Sequence, residues 1–262
     1  MNDFFDVQYT LPGVDDKSVL VLGLGGGSDI ILAYAFCRLL EAGGPRKIVY
    51  GNTKCRDDGH LVPVTEHISR VSEWRPSADE LQQAWATTAI DHTVPRGDDC
   101  CPFVVLLTNR SVDAKLPAEL ESLGFDLLVG VDTGGDSLVD EAVSGPMGRD
   151  RRMLRVLEET DIPAVHIVAA PGSDGESTHK QLIDAIGKQQ DLGRYLGCFP
   201  LEPVMDPIRA LGRPLDWGRT PNIIARAADG LLTPDDCGCV VIPRCDRPRI
   251  RLDWLTIAVA FG

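Results

Sequence analysis

Ser18-Val19-Leu20-Val21-Leu22-Gly23-Leu24-Gly25-Gly26-Gly27-Ser28-Asp29 decides how the rest of the chain is read. Its first six residues form a short apolar run that turn-forming residues follow. That is the pattern of a strand buried on both faces. Glycines follow at once. Ile30 to Leu40 is then apolar nearly all round and stops at Gly43-Gly44, which predicts a helix. Lys47-Ile48-Val49-Tyr50 is a second strand, running into Gly51-Asn52-Thr53. Strand, helix and strand within roughly 35 residues make a βαβ unit.

Outward from this unit the alternation continues. Pro102 to Asn109, Phe125 to Asp132 and Pro163 to Ala169 read as three more strands. Helices are predicted from Ala78 to about Ala89 behind a Ser77 cap, from Leu116 to Leu123, from Asp150 to Thr160 and from Thr178 to Gly187. The stretch from Cys55 to Asp99 is polar and hard to read. From Gly193 the pattern weakens and prolines recur at 200, 203, 207, 214 and 221, which reads as a lobe draped over the core. Val240 to Ile242 and Leu255 to Val259 read as closing strands, antiparallel at a sheet edge. The expected fold class is α/β, a mostly parallel sheet covered on both faces. Residues 1–262 read as a single domain, with its core at about 18–190 and a C-terminal extension from about 191.

Composition narrows the function. Of 262 residues, 44% are hydrophobic, enough for a substantial core. A net charge of −13 and a pI near 4.8 argue against nucleic-acid partners and against an anionic membrane surface. No apolar run approaches the ~18 residues of a membrane span, and Met1 to Asp6 shows no leader pattern, so a cytoplasmic location is expected. The 8 cysteines do not read as a disulfide framework in a chain this long, and Cys237, Cys239 and Cys245 lack zinc-site spacing. A homo-oligomer is the default expectation for assembly.

Ligands of open α/β sheets bind beyond the carboxyl ends of the strands, so the loops there carry the chemistry. The first loop, Gly25-Gly26-Gly27-Ser28-Asp29, lets backbone approach a ligand at a helix N-terminus, which suits an anion. It is similar to a dinucleotide G-x-G-x-x-G loop with Ser28 at the last glycine. Asp29 would repel a pyrophosphate, however, and Asn52 stands where an acid would hold an NAD ribose. Thr53, Lys54 and Arg56 suit a 2′-phosphate, which keeps NADP as an alternative cofactor. The second loop, Asp132-Thr133-Gly134-Gly135-Asp136-Ser137, flanks a diglycine turn with two carboxylates and a hydroxyl. That set can hold a divalent cation, sugar hydroxyls or an ammonium group. The plainer reading is an aspartate capping a helix from Leu138, which explains one acid but not the repeated glycines. The third loop, Gly172-Ser173-Asp174-Gly175-Glu176-Ser177, has the same chemical character.

Asp132 and Asp136 are the candidate ligands for Mg²⁺ or Mn²⁺. Asp132, Asp136, Asp174, Glu176 and His179 are the candidate catalytic groups, with His179 the best-placed histidine for proton transfer. Arginine at a helix start opposes the dipole, so one of Arg149, Arg151 and Arg152 is expected to serve a carboxylate or phosphate, and Arg149 is the candidate ligand group. Gly25, Gly26, Gly27, Ser28, Asp29, Gly134, Gly135, Ser137 and Ser173 complete the expected binding set. His166 reads as a core residue of the fifth strand.

Four segments together resemble the DUF1152 family: Gly25 to Ile30, Gly130 to Asp136, Gly145-Pro146 through Asp150-x-x-Met153-Leu154, and Gly172 to Glu176. They stand in the right order over roughly residues 18–190. The resemblance implies a Rossmann-like, doubly wound fold and one shared site, but it carries no reaction. The residues themselves favour an enzyme of hydrolase or lyase type on a small polar metabolite bearing a phosphate or carboxylate. An NADP-dependent oxidoreductase and a non-catalytic nucleotide- or metabolite-binding protein are the alternatives.

Overall fold

In the computed structural model, residues 13–82, 88–96, 101–139, 148–242 and 249–262 are described. The predicted Gly145-Pro146 turn, Cys245 and the middle of the helix expected up to Ala89 lie outside them.

The chain runs β1 (Ser18–Gly23), α1 (Asp29–Glu41), β2 (Lys47–Lys54), β3 (Leu61–Pro63), β4 (Ile68–Val71), α2 (Ala78–Gln82), β5 (Phe103–Leu106), α3 (Arg110–Asp113), α4 (Leu116–Ser122), β6 (Leu127–Thr133), α5 (Arg149–Glu158), β7 (Ala164–Ala169) and α6 (His179–Asp191). It continues through β8 (Tyr195–Pro200), α7 (Met205–Gly212), α8 (Thr220–Ala228), β9 (Cys239–Val241), β10 (Arg249–Arg251) and β11 (Ile257–Phe261). Nine strands form one sheet in the order β3-β4-β5-β2-β1-β6-β7-β11-β8. Five of them, β5-β2-β1-β6-β7, are parallel. Taken in chain order these five stand 3-2-1-4-5, the doubly wound arrangement, with its switch point between β1 and β6. The α/β fold class read from the sequence is what the structure has.

The strand residues explain both covered faces. Val19 and Val21 of β1 pack with Ile30, Leu32 and Phe36 of α1 on one side. Leu20 and Leu22 pack with Met153 and Leu157 of α5 on the other. A strand buried on both faces must be apolar at every position, which is why β1 shows no alternation. α6 begins with a full capping box: Thr178 Oγ1 accepts from the Gln181 amide, and the Gln181 side chain accepts in return from Thr178 N–H.

The structure departs from the sequence reading at four places. The polar stretch after β2 contains the antiparallel strands β3 and β4, which extend the sheet beyond β5. Both are short; β3 is largely exposed, and β4, though buried, sets Ser69 and Arg70 between Ile68 and Val71, so they carry little apolar signal. The region after residue 190 is not a draped lobe: β8 and β11 belong to the main sheet, and α7 and α8 pack on the α1 face. The segment read as an edge strand near its end, β11, lies between β7 and β8 and is antiparallel to both, while β9 pairs only with β10 in a separate ribbon. Finally, where the plainer reading of the second loop put a capped helix from Leu138, the described residues have a single 3-10 turn, Asp136–Leu138. No helix of the described residues is long and apolar enough to cross a membrane.

Candidate functional site

The switch point gathers the acidic loops. Gly23 of β1 lies in register with Val131 of β6 and Asn52 of β2, and Thr133 of β6 lies in register with Ala169 of β7. The loops beyond these ends therefore share one space. Hydrogen bonds tie them together: Leu24 N–H donates to Val131 O, Gly134 N–H to Ala169 O, and Gly172 N–H to Gly134 O.

Carboxylate oxygens of Asp29, Asp132 and Asp150 lie within 4.8 Å of one another, and all three residues are buried. Oxygens of Asp136, Asp174 and Glu176 form a second group within the same limit. The groups adjoin, because Asp136 feels the charges of Asp150, Asp132, Asp174 and Glu176. Glycine makes the crowding possible at two positions. A Cβ on Gly25 would collide with the Asp150 carboxylate. One on Gly134, whose φ is +118°, would collide with that of Asp174.

The electrostatics are strained. Burial, then the Asp132 charge, pushes the Asp29 carboxyl up to about 7, against a Gly25 hydrogen bond and Arg149 that favour its anion. Burial raises Asp132 despite the hydrogen bonds of Ser137, and burial plus the neighbouring acids hold Asp136 and Asp150 well above the ordinary carboxylate range. The cation described among these acids is Arg149, whose guanidinium packs over Gly26 and whose charge reaches Asp29 and Asp150.

Asp132 is held from behind. Its Oδ2 accepts from the Ser137 hydroxyl and, at 3.1 Å, from Ser137 N–H. His166 Nε2 lies 2.9 Å from the same hydroxyl oxygen. The hydroxyl has one hydrogen, and Asp132 takes it, so His166 Nε2 is the donor. Burial, then Arg151, lowers the His166 pKa to about 3, so the ring is neutral with its proton on Nε2. This chain is not a nucleophilic triad, because the serine stands between the acid and the imidazole rather than at the end. It fixes Asp132 Oδ2 and leaves Oδ1, which is buried and, among the described residues, meets no donor in hydrogen-bond geometry. A buried carboxylate oxygen without a donor is costly, and a bound cation would relieve it.

The other expected residues sort as follows. Asp29 turns inward: its carboxylate accepts from Gly25 N–H at 2.8 Å, so the loop amide expected to hold a ligand anion is satisfied by the chain itself. Ser28 precedes α1 without a side-chain cap, and Gly27 adopts a positive φ of 56°. Gly135 has its own positive φ, 101°, at the start of the 3-10 turn. Ser173 is fully buried beside Asp174, and its hydroxyl has no hydrogen-bond partner among the described residues. His179 is not brought into the cluster: its ring packs on Trp254, 4.1 Å between centroids. Arg151 donates to the carbonyls of Ser137 and Leu138, and Arg152 grips Asp113 with two hydrogen bonds. Of the groups suited to a 2′-phosphate, Thr53 donates to Gly23 O, and Lys54 is buried 2.6 Å from Asp91.

Sequence reading missed Asp150 as a member of the site and the link from His166 to Ser137. Asp150 opens an amphipathic helix, where an acid reads as a dipole partner. The signal that could have found it was its place after Gly148-Arg149, in one of the four segments that carry the family resemblance.

Comparison with curated proteins and with solved structures gives no match. A family model described as "Protein of unknown function (DUF1152)" matches residues 20–220. The match spans the five parallel strands and all six carboxylates, and the chain belongs to the DUF1152 family.

Proposed function

We propose that this protein is a divalent-cation-assisted enzyme of hydrolase or lyase type acting on a small metabolite that bears a phosphate or carboxylate. One observation carries the reading. Asp29, Asp132 and Asp150 face one another in a buried space, and among the described residues Asp132 Oδ1 meets no donor in hydrogen-bond geometry. Three mutually repelling carboxylates cost folding stability unless something positive joins them. Hard oxygen donors without a histidine or thiol suit Mg²⁺ or Mn²⁺.

Asp29, Asp132 and Asp150 would hold the cation, which supplies Lewis-acid polarisation of a phosphoryl or carbonyl oxygen and a more acidic bound water. The chain's own groups do the rest. Ser137 and His166 keep Asp132 in one orientation. Arg149, beside the glycine loop, is placed to meet the substrate's anionic group. Asp136 and Asp174, at the second acidic group, are the candidate general bases. Burial and the charges of the neighbouring acids raise the Asp136 pKa, which strengthens it as a base. The NADP alternative keeps only Arg56 of its three expected phosphate contacts, since Thr53 and Lys54 are engaged elsewhere.

The test is thermal unfolding of chelator-treated protein with and without Mg²⁺ or Mn²⁺, followed by a screen of phosphate esters and carboxylates for turnover. A rise in Tm with cation, lost in Asp150→Asn, is the expected result. A Tm indifferent to both ions would overturn the cation. Cation binding with no turnover across the screen would favour a binding protein instead.

A further inference from the structure

Outside the acidic centre, a pair of nucleophilic side chains stands in the open. The turn Asp235-Asp236-Cys237-Gly238-Cys239 leads into β9 and carries two free cysteines with a single glycine between them. Behind it the β9–β10 ribbon is packed: Val240, Ile242 and Ile250 are buried with Ile223 and Leu255. Cys239, half-buried, lies in register with Arg251, and Cys237 is exposed. A cysteine kept for packing is normally buried, so the core explains neither thiol.

The turn holds the two residues together. Asp235 Oδ1 accepts from Cys237 N–H at 2.9 Å and from Cys239 N–H at 3.1 Å. Gly238 N–H donates to Asp235 O, and Asp235 N–H donates to Cys239 O. Gly238 has a φ of +74°, which lets the chain double back between the cysteines. The Cys239 sulfur lies 3.9 Å from Cys237 O, which puts it roughly within 7 Å of Cys237 Cα once the intervening bonds are added. The Arg249 guanidinium is within charge reach of both thiols. A disulfide needs Cα atoms about 4.4–6.8 Å apart, and residues two apart in a turn meet that span. Closure asks chiefly for rotation of the exposed Cys237 side chain.

We propose that Cys237 and Cys239 form a thiol–disulfide exchange site for low-molecular-weight disulfides. The Cys237 thiolate attacks one sulfur of the incoming disulfide, forms a mixed disulfide and expels one thiolate. The Cys239 thiolate then attacks the Cys237 sulfur, closes the Cys237–Cys239 bond and expels the second. The two cysteines give up two electrons and two protons, and the small disulfide leaves as two thiols. The bond encloses too short a loop to brace the fold, since disulfide stabilisation grows with the loop closed. Exposed and closing a tight ring, it belongs to the labile class that thiols reopen. This role is independent of the cation reading.

The test treats the full-length protein with glutathione disulfide, alkylates the remaining thiols with iodoacetamide and digests with trypsin. Cleavage after Arg226 and Arg244 isolates peptide 227–244, whose cysteines are Cys237 and Cys239. The expected product is that peptide without alkyl groups and lighter by two hydrogens. Millimolar dithiothreitol, added before alkylation, should return the doubly alkylated form. Cys239→Ser should trap glutathione on Cys237 and raise that adduct at least about tenfold, because no second thiol is then held at high effective concentration. Position 239 lies outside the buried core, so the substitution leaves the fold in place. An unmodified peptide, or a glutathione adduct that persists in the unsubstituted protein, overturns the site. So does a cross-link to the peptide carrying Cys245, or a bond that dithiothreitol does not reopen.

Discussion

Two buried charge clusters flank the glycine loop, and they are built on opposite principles. On the β2 side, Lys54 Nζ meets Asp91 Oδ2 at 2.6 Å, and Asn52 donates to the other oxygen at 2.9 Å. Burial still holds the Asp91 carboxyl above its usual range, with Lys54 opposing the shift. Every charge there has a partner from the chain. On the β6 side, Arg149 reaches Asp29 and Asp150, and among the described residues Asp132 Oδ1 meets no donor in hydrogen-bond geometry. Both sites bear the desolvation cost of buried charge, and only the first recovers it from its own residues. The difference separates a cluster neutralised by its own residues from one that the proposed cation would complete.

Four substitutions or conditions would break or sharpen this contrast. Lys54→Met should cost the most, about 3–5 kcal/mol in urea unfolding, because it strands Asp91. Cation response should survive in whatever folds. A loss below ~1 kcal/mol would show that Asp91 simply takes a proton, and the β2 cluster would no longer differ in kind from the other. Asp150→Asn should act in the opposite direction, adding about 0.5–2 kcal/mol to the metal-free protein while lowering Mn²⁺ affinity roughly a hundredfold or more, as read by calorimetry. Destabilisation by Asp150→Asn would mean that the acidic cluster is structural.

His166→Gln should reduce Mn²⁺ affinity about 10- to 100-fold with little change in the pH profile of binding, since the ring acts by orienting Ser137 and Asp132. Unchanged affinity would reduce His166 to a packing residue. The smallest effect is that of pH. Asp29, at about 7, binds its proton more tightly in the folded protein than in the unfolded chain. Stability of the chelated protein is therefore fully present below the unfolded value near 4 and is lost as pH rises through 7. Its Tm should climb between pH 8 and pH 6, by about 2–4 °C for each kcal/mol, and saturating Mg²⁺ should flatten the slope. A chelated protein whose Tm falls over that interval would contradict the strained site.

Much of this contrast is legible in the sequence, and the limits are physical. β1, β5, β6 and β7 declare themselves because strands covered on both faces have no polar positions to blur them. Three of the loops that build the site stand out through glycine beside aspartate. Asp150 does not, because an acid in the first turn of a helix has a sufficient local explanation. Nor does the Lys54–Asp91 pair, whose members are 37 residues apart and joined only by the fold. His166 reads correctly as a strand residue, yet its bond to Ser137 depends on a 3-10 turn that no sequence pattern marks. β3, β4 and β8 are partly exposed, short or both, and such strands leave only a faint pattern.

The place of β11 between β7 and β8 has a practical side. The family match stops at residue 220, but the strand joining the two sides of that part of the sheet begins at Ile257. A fragment cut at the family boundary would keep every carboxylate of the site. It would also expose the hydrogen-bonding edge of β7 and leave β8 with no neighbour, an invitation to aggregate. For anyone expressing this protein, the segment that defines its kinship is shorter than the segment that closes its sheet.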